Sequence, residues 1–466
     1  MVSSPGRDKQ LAQFRASAAQ LFIHGFPLLL ADAIRRSHPM AHAQLYLLGP
    51  NGAALAPGLE GEDSRVVIAS AWIDLADQPV ILRLPATHGR HLVLTLFDSS
   101  GRPFGSAGSR TGHDGGADIA VVGPNWRGEL PGGLTARRAP SDSAWVVSRL
   151  YAHSGIDYRA TAAIAKRQCV AHLAPDNSGS TATLPSLAPP SPPTARQVAG
   201  LTPELLLHRL QAIIDRAPRI EAAPIRALLA ELTAPLDPSE DVHWRDAVTE
   251  TLTKGFADGL ESIRTTAALA GHDTTDSWWP APSNASAWPA TATERAARAY
   301  ADMGAPERED VLAFSCDQDR LREPLSGACS YVIHFPRTGL PPAEAFWRLI
   351  AVPATPASGR HGLGDHNDLL LNRDGSLDIL IQVSPPEPGL IRNWLPAPGG
   401  QFSLSMRLHW PRTPALTGSW RMPPVERTDS GLTATDPGRR KARPPNPGRS
   451  DPTQQQRESF LIWRSA

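Results

Sequence analysis

The chain has 466 residues, and its 46 Lys and Arg residues are balanced by 46 Asp and Glu residues, so its formal net charge is zero. This balance argues against a nucleic-acid-binding protein, which carries a basic surplus to neutralise phosphates. Hydrophobic residues make up 41% of the chain and charged residues 20%, which excludes a largely disordered polymer. The 46 prolines favour loops, edge strands and linkers over a long helical bundle.

The N-terminal segment predicts helix, because apolar side chains recur at helical spacing in residues 8–36. We expect Gly25 and Pro27 to interrupt this helix, and a second short helix to run through residues 28–36. The apolar run 26–31 is much shorter than the roughly 20 residues of a membrane span. The start has no apolar secretory signal. We therefore expect a cytoplasmic protein without a membrane span.

Two regions have the pattern of β-strands. Short apolar runs bounded by Pro, Gly and Asp occupy residues 65–151, and residues 328–411 repeat the pattern. The clearest strand runs from Phe402 to Trp410, with apolar and polar side chains in strict alternation. Helical spacing returns in residues 202–270. The predicted fold class is therefore α+β, with two β-sandwich, jelly-roll-like lobes, an N-terminal helix and a helical segment between the lobes.

This pattern divides the chain into six segments. Residues 176–200 are rich in Ser and Pro and contain too few apolar side chains to fold. The predicted segments are an N-terminal helical segment (1–40), a first β-sandwich domain (41–175), a Pro- and Ser-rich linker (176–200), a helical segment (201–310), a second β-sandwich domain (311–426) and a disordered basic tail (427–466).

Three cysteines are too few for a disulfide framework. Cys316 and Cys329 flank a short hairpin-like stretch, so they either form a disulfide or remain buried free thiols. The sequence has no Gly-x-Ser-x-Gly elbow, Walker loop, dinucleotide-binding Gly-x-Gly-x-x-Gly, His-Glu-x-x-His or Cys-x-x-Cys motif. These absences exclude the recognisable forms of the commonest hydrolase, nucleotide and zinc sites.

The densest polar group follows Arg360. It contains two imidazoles and two carboxylates, which are suitable ligands for a divalent ion such as zinc or manganese: His361, Asp365, His366 and Asp368. Further ligands would come from neighbouring strands, where His334 and His409 are candidates. The alternative is a solvated Gly-rich loop in which Asp and Asn stabilise the turn.

Five basic residues are candidates for binding a ligand. Arg407 and His409 lie on the polar face of the predicted strand, where they hold an anionic or hydroxylated ligand or simply face solvent. Arg110 and Arg149 stand in β-rich sequence, where each can clamp a carboxylate through two parallel hydrogen bonds or form a buried structural ion pair. Arg360 completes the set.

Tryptophans are frequent, with 12 in the chain. Trp278, Trp279 and Trp288 occur in a Pro- and Ser-rich stretch. Such rings either stack on the faces of sugars or cover the edge of a core.

Two stretches resemble a pair of bacterial families. Residues from about 64 to 151 resemble domain of unknown function 1254, through Ser70-Ala71-Trp72-Ile73-Asp74-Leu75, Gly108-Ser109-Arg110-Thr111-Gly112, Val122-Gly123-Pro124-Asn125-Trp126-Arg127 and Ala144-Trp145-Val146. Residues 327–424 resemble domain of unknown function 1214, through Tyr331-Val332-Ile333-His334-Phe335-Pro336, Asn393-Trp394-Leu395-Pro396-Ala397-Pro398 and the strand from Phe402 to Pro411.

The resemblance implies two β-sandwich lobes with attached helices, in a family whose members are largely uncharacterised and often look exported. This chain is a divergent member. The first family's Pro-Asn-x-Asp-Thr-x-Tyr-Ser segment is replaced here by residues 62–69, and the second family's Asn-Arg-Tyr-x-Ile-Gly segment by residues 359–364. Arg360 is retained and the Tyr is not, which implies an altered or inactive site.

We favour a protein that binds a small polar or saccharide-like ligand in the cleft between the two lobes, where ligand sites are common. One alternative is a metal-dependent hydrolase whose divalent ion activates water. Another is a non-catalytic scaffold recruited through its Pro-rich linker and basic tail. The sequence leaves open whether the protein is an enzyme, and it names no cofactor apart from the metal of the hydrolase alternative. It also leaves the oligomeric state open.

Overall fold

A computed structural model describes residues 5–38, 45–48, 65–132, 134–172, 186–187, 194–217, 219–236, 240–270, 277–285, 287–354 and 361–428. The chain forms two compact units. The first contains Met1–Ala270 and Ala285–Glu307, and the second contains Gly271–Asn284 and Arg308–Ala466. Most of the predicted linker and the tail from residue 429 onward lie outside the described residues, so the division into six segments stays a prediction.

The described helices of the first unit are α1 (Pro5–Ser37), α2 (Tyr158–Ala165), α3 (Thr194–Ala199), α4 (Pro203–Ile213), α5 (Arg219–Thr233), α6 (Val242–Leu269) and α7 (Ala292–Asp302). Polar caps begin three of them. Thr202 and Asp241 accept a backbone N–H at the starts of α4 and α6. Thr291 and Glu294 form a reciprocal capping box on α7.

Helix α1 is continuous, so the predicted interruption at Gly25 and Pro27 is wrong. A proline inside a helix removes one backbone hydrogen bond and costs about 3 kcal/mol in an exposed helix. Burial outweighs that cost here, because every residue of α1 from Leu21 to Ile34 is buried except the partly exposed His24. The helix packs against α3, α4, α5, α6 and α7.

Among the described helices, α1 is the one that is long and apolar enough to cross a membrane. Its most apolar 18-residue window has a mean hydropathy of 1.3, and 72% of that window is buried within the structure. Its apolar side chains therefore contact other parts of this chain. The predicted cytoplasmic location stays a prediction.

Two glycines bring α6 close to α1. A Cβ atom at Gly255 would lie 2.5 Å from the Arg15 carbonyl oxygen and 2.6 Å from the Ala18 Cβ. A Cβ at Gly259 would lie 2.8 Å from the Ala19 carbonyl oxygen. Both glycines lie inside α6, which continues to Leu269. The glycines therefore form the face on which α1 packs.

The strands of the first unit are β1 (Tyr46–Leu48), β2 (Val66–Asp74), β3 (Val80–Leu84), β4 (Leu92–Asp98), β5 (Pro103–Gly108), β6 (Ala117–Val122), β7 (Thr135–Arg138), β8 (Ser143–Tyr151), β9 (Cys169–His172) and β10 (Ser186–Leu187). They form a six-stranded sheet in the order β10-β1-β2-β8-β4-β5 and a four-stranded sheet in the order β7-β6-β3-β9. One core cluster contains side chains of both sheets, including Val67, Leu94 and Val121. The predicted first sandwich is confirmed.

The central strands of the six-stranded sheet are buried on both faces. Strands β4 and β8 contain no exposed residue, and β2 is exposed only at its last position. Alternate residues point into the sandwich core, and the others point to the opposite face. That opposite face meets the end of α1 through His38 and the turn after α7 through Gly304. The helices and the first sandwich therefore share one unit.

The second unit contains β11 (Trp279–Pro280), β12 (Val311–Cys316), β13 (Ser330–Phe335), β14 (Ala343–Pro353), β15 (His361–Gly364), β16 (Leu377–Gln382), β17 (Trp394–Pro396), β18 (Phe402–Pro411), α8 (Thr413–Leu416) and β19 (Glu426–Thr428). Its sheets have the orders β11-β12-β18-β14-β15 and β17-β16-β13-β19. A shared core of side chains such as Tyr331, Ile379 and Leu404 makes it the second sandwich. The α+β class with two sandwiches is confirmed, and the jelly-roll topology stays a prediction.

The last residues of β18 depart from the predicted alternation. His409 is buried at 2% exposure, although it stands in the polar register, and Trp410 has a positive φ of 53°. The pairing of β18 with β14 is irregular at this point, between Ala343 and Phe346. A β-bulge of this kind re-aims side chains at a strand end. All three cysteines are free, and the Cys316 thiol donates to the Gln318 carbonyl at 3.0 Å.

Candidate functional site

The two candidate arginines of the first unit have partners within that unit. Arg110 lies on a single 3-10 turn after β5, and its Nη2 donates to the Ser106 hydroxyl at 2.7 Å. Arg149, near the end of β8, is completely buried. Its Nη2 donates to the Gly304 carbonyl at 2.6 Å, which ties the sheet to the turn after α7. This contact of Arg149 with a backbone carbonyl is structural, whereas the sequence analysis considered a carboxylate as its partner.

A buried polar chain joins α1 to the six-stranded sheet. His38 Nδ1 donates to the Ile34 carbonyl at 2.9 Å, so its Nε2 accepts from the Ser70 hydroxyl at 2.7 Å. The Ser70 oxygen in turn accepts from Trp145 Nε1 at 2.8 Å. Burial lowers the pKa of His38 to about 4, against the opposing effect of its hydrogen bond to Ile34.

This Ser70–His38 pair resembles the nucleophile and base of a hydrolase in its residue types. Ser70 is completely buried, however, and His38 is 7% exposed. A substrate cannot reach a hydroxyl in that position. The pair therefore stabilises the junction of α1 with the sheet.

The polar face of the five-stranded sheet brings together two predicted ligand residues. Arg407 and His409 follow each other on this face of β18. Arg348 of β14 lies directly opposite Arg407, and Phe346 lies opposite His409. The His409 ring stacks on Phe346 with centroids 4.1 Å apart and planes at 17°. The face therefore joins two guanidinium groups and an imidazole, which is the chemistry of an anion contact.

The predicted metal ligands form a strand and a turn. His361 begins β15, and Asp365 and His366 lie on a 3-10 turn that ends at Asp368, whose φ is 49°. All four of these side chains are exposed. Among the described residues, no group of three or more His, Cys, Asp or Glu side chains is placed to hold a metal ion. Arg360 lies outside the described residues.

A shallow pocket opens in the first unit where the β4–β5 hairpin meets α7. It is a surface depression that encloses room for about one water molecule. Its wall combines apolar, aromatic and charged side chains: Phe97, Gly101, Pro103, Trp288, Arg298, Ala299, Asp302, Met303 and Ala305. We call this the Trp288 pocket.

Two arginines lie against the ring of Trp288. The guanidinium carbon of Arg298 is 5.0 Å from the ring centroid and that of Arg102 is 5.6 Å from it. Both distances fit cation–π contacts. Within the described part of the chain, the buried Nε1 of Trp288 meets no hydrogen-bond acceptor. A buried donor of this kind costs about 1–3 kcal/mol, which an acceptor on a ligand would recover.

The rim of the pocket is a rigid turn. The buried Asp98 carboxylate accepts hydrogen bonds from the Ser100 hydroxyl at 2.7 Å and from the backbone N–H groups of Ser100 and Arg102 at 2.8 and 3.0 Å. Gly101 has a φ of 78°, and a Cβ there would lie 2.6 Å from Met303 Cε. The turn therefore needs glycine at this position to approach α7.

Burial dominates the electrostatics of the pocket. It lowers the pKa of Arg298, while the negative charges of Asp302 and Glu307 act in the opposite direction. Burial also raises the pKa of Asp98, against its hydrogen bonds to Ser100 and Arg102. The pocket thus holds one cationic group, Arg298, that has lost part of its hydration, beside the carboxylate of Asp302.

Sequence reasoning did not select Arg102, Arg298 or Asp302 as site residues. Of the residues that line this pocket, Trp288 is the one that the sequence analysis considered as a ligand contact. Arg298 and Asp302 are one helical turn apart on α7 and therefore share a face. Nothing in the sequence indicates that the β4–β5 hairpin meets that face.

Comparison with protein families confirms the resemblance seen in the motifs. Residues 63–171 match the family described as a protein of unknown function (DUF1254), and residues 310–413 match the family described as a protein of unknown function (DUF1214). The chain therefore contains a DUF1254 domain followed by a DUF1214 domain. No curated protein matches the sequence.

One solved structure shares the fold, and a second is less similar. The VPA0106 protein from Vibrio parahaemolyticus is 17% identical, with a TM-score of 0.63 over 89% of this chain and 100% of that chain. An uncharacterised protein from Burkholderia cenocepacia is 10% identical, with a TM-score of 0.42 over 91% of this chain and 96% of that chain. The Vibrio protein therefore has the same fold.

Proposed function

We propose that the protein binds a small polar or saccharide-like ligand and that the Trp288 pocket is its site. The observation that carries this proposal is the contact of Arg102 and Arg298 with the Trp288 ring at a depression of the surface. Ligand pockets combine apolar walls with a small number of charged or hydrogen-bonding groups, and this pocket has that composition.

The groups in the pocket favour a polar ligand over an apolar one. Arg298 supplies charged donors, Asp302 supplies acceptors, and the Trp288 indole supplies one further donor. An apolar ligand would leave the Trp288 indole N–H without an acceptor, at a cost of about 1–3 kcal/mol. The Asp98 turn holds one side of the pocket in place before a ligand arrives.

The predicted cleft between the two lobes, and the predicted ligand residues Arg110, Arg149, Arg360, Arg407 and His409, stay predictions. Arg149 has the weakest claim among them, because it is completely buried and bound to the Gly304 carbonyl. Arg407 and His409 share one face and have the stronger claim.

Isothermal titration of the full chain against a metabolite and glycan panel tests the proposal. We expect at least one compound to bind with a Kd below about 1 mM, which corresponds to about 4 kcal/mol. Trp288→Ala should abolish that binding, because both guanidinium groups lose the ring that they contact.

Trp126→Ala is the matched control, since Trp126 is a partly exposed tryptophan of the same unit and lies outside the lining of the pocket. It should bind as the unaltered chain does. The proposal is wrong if no compound binds, or if Trp288→Ala binds as tightly as Trp126→Ala does.

A further inference from the structure

We propose that Asp114 is a site of backbone modification, at which the chain forms isoaspartate through a succinimide intermediate. This reaction occurs at Asp-Gly pairs whose carboxyl group can reach the next backbone nitrogen, because glycine has no side chain to hinder the attack. The described part of the chain contains three such pairs: Asp114-Gly115, Asp258-Gly259 and Asp374-Gly375. The modification is independent of the Trp288 pocket.

The Asp114-Gly115 pair occupies the centre of an exposed turn. Gly116 N–H donates to the His113 carbonyl at 3.3 Å, which closes a β-turn around the pair. Both residues are exposed, and a Cβ atom at Gly115 would meet nothing within 4 Å. Within the described residues, the Asp114 carboxylate accepts no hydrogen bond and Gly115 N–H donates none. The two reacting groups are therefore free to approach each other.

The Asp258-Gly259 pair is held by a helix and an ion pair. The Asp258 carboxylate accepts from Arg15 Nε at 2.6 Å and from Arg15 Nη2 at 2.9 Å. Gly259 lies inside α6, where each backbone nitrogen donates to the carbonyl four residues earlier. The attack therefore needs the ion pair to break and the helix to open locally.

The Asp374-Gly375 pair lies in a turn like that of Asp114, but its reacting groups are bound. The Asp374 carboxylate accepts from the Ser376 backbone N–H at 3.0 Å and from the Ser376 hydroxyl at 2.7 Å. Gly375 N–H donates to the Asn372 carbonyl at 2.9 Å. These bonds keep the carboxylate and the nitrogen apart, so this pair is the closest internal comparison for Asp114.

The chemistry needs no reactant except water. The Gly115 nitrogen attacks the side-chain carboxyl carbon of Asp114, a C–N bond forms, and the carboxyl C–OH bond breaks. The proton of the nitrogen leaves with the hydroxyl group as water. Water then adds to the cyclic succinimide. Addition at the former main-chain carbonyl carbon breaks the original peptide bond and gives isoaspartate, whereas addition at the side-chain carbon restores aspartate.

The modification should weaken a link between two loops. The Asp114 carbonyl accepts from the Thr87 backbone N–H at 2.8 Å, which joins the chain between β5 and β6 to the β3–β4 loop. In isoaspartate this carbonyl becomes part of a free carboxylate, and the backbone continues through the side-chain carbon. The turn is then one carbon atom longer and no longer presents the same carbonyl to Thr87.

The test compares the three pairs within one protein. The full chain is incubated in neutral buffer, digested and mapped by liquid chromatography and mass spectrometry, which separate isoaspartyl from aspartyl peptides of equal mass. We expect isoaspartate to form at least about tenfold faster at Asp114 than at Asp258 or Asp374, because those sites must first break several hydrogen bonds. In urea the three pairs should react at similar rates, since their native hydrogen bonds are absent.

A variant assigns the attacking nitrogen. Gly115→Ala should slow the reaction at Asp114 several-fold, because the added methyl group hinders the attack. Gly115 does not have a positive φ and its surroundings are open, so alanine fits the fold. Gly155→Ala, at another position where a Cβ meets nothing within 4 Å, is the control and should leave the rate at Asp114 unchanged.

Three results would overturn the assignment. The folded chain could form isoaspartate at Asp114 no faster than at Asp258 and Asp374. The chain in urea could show the same preference for Asp114, so that the local sequence and not the fold would account for it. Gly115→Ala could react as fast as Gly155→Ala. Because the comparison of the three pairs uses the unaltered chain, it does not depend on how well a variant folds.

Discussion

Trp72 and Trp145 lie directly opposite each other on β2 and β8, with ring planes 7° apart and centroids 5.9 Å apart. Phe97 of β4 continues the aromatic row, 5.2 Å from Trp145. These tryptophans belong to two of the motifs that carry the resemblance to DUF1254. The motifs are far apart in sequence and form one packing unit in the fold, so they report architecture and give no indication of activity.

Trp145→Phe should lower the free energy of unfolding by about 1–3 kcal/mol, because the indole N–H that donates to buried Ser70 is lost. Trp145→Ala should cost about 3–5 kcal/mol through the cavity that it leaves. Urea unfolding followed by circular dichroism measures both. Trp126→Phe, at a partly exposed position, should cost less than about 1 kcal/mol. Equal losses at Trp126 and Trp145 would contradict the role of the Ser70 bond.

Acid should destabilise the first unit before its carboxylates titrate. Burial lowers the pKa of His38 and of His91 from 6.5 to about 4. Both rings are neutral in the folded chain, so their contribution to stability is complete above pH 6.5 and is lost as the pH falls towards 4. Between pH 6.5 and pH 5 each should remove about 2 kcal/mol.

Urea unfolding at several pH values tests this expectation. His38→Gln combined with His91→Gln should flatten the dependence of stability on pH between 7 and 5, whatever its effect on stability itself. His243→Gln, on the solvent-exposed start of α6, is the control and should leave the slope as it is. A slope that survives in the double variant would show that other groups produce it.

Gly255→Ala should destabilise the contact of α6 with α1. Alanine normally favours a helix over glycine by about 1 kcal/mol. Here its Cβ would lie 2.5 Å from the Arg15 carbonyl oxygen, and crowding of this kind costs about 1–3 kcal/mol. We expect a net loss in urea unfolding. Gly155→Ala, where a Cβ meets nothing within 4 Å, is the control. A stabilised Gly255→Ala protein would mean that the two helices separate easily.

Arg149→Met distinguishes a structural arginine from a ligand-binding one. The substitution removes the bond to the Gly304 carbonyl and leaves that oxygen unpaired. We expect a loss of about 2–4 kcal/mol in the free energy of unfolding. The affinity of the folded fraction for any ligand found in the panel should be unchanged. Normal stability with abolished ligand binding would support Arg149 as a ligand-binding residue.

The sequence predicted helices and strands well where a single hydrophobic pattern determines them. The alternation from Phe402 to Leu408 matches the observed strand, since one side of β18 is buried in the core. The same pattern gave the wrong burial for His409 and Trp410, because the irregular pairing at this point depends on β14 and not on the sequence of β18. The helix prediction was wrong at Pro27 for a related reason. The local sequence does not show that five other helices pack on α1.

The Trp288 pocket was harder to foresee than either sandwich. Trp288 stood out by its residue type, but Arg102 and Arg298 are more than a hundred residues apart and join it only in the folded unit. By contrast, the density of His and Asp residues around Asp365 led to the prediction of a metal site in a segment whose His and Asp side chains are exposed. Spacing along the chain indicates local geometry, and this pocket is a product of tertiary packing.

Because α1 packs against five other helices and most of its apolar window is buried, residues 5–37 belong to the packed interior of the first unit. A truncated protein that begins at residue 38 would lose the contacts of α1 with those helices. If His38 were also removed, the sheet would lose the imidazole that pairs with Ser70. We expect such a truncated protein to be insoluble when expressed.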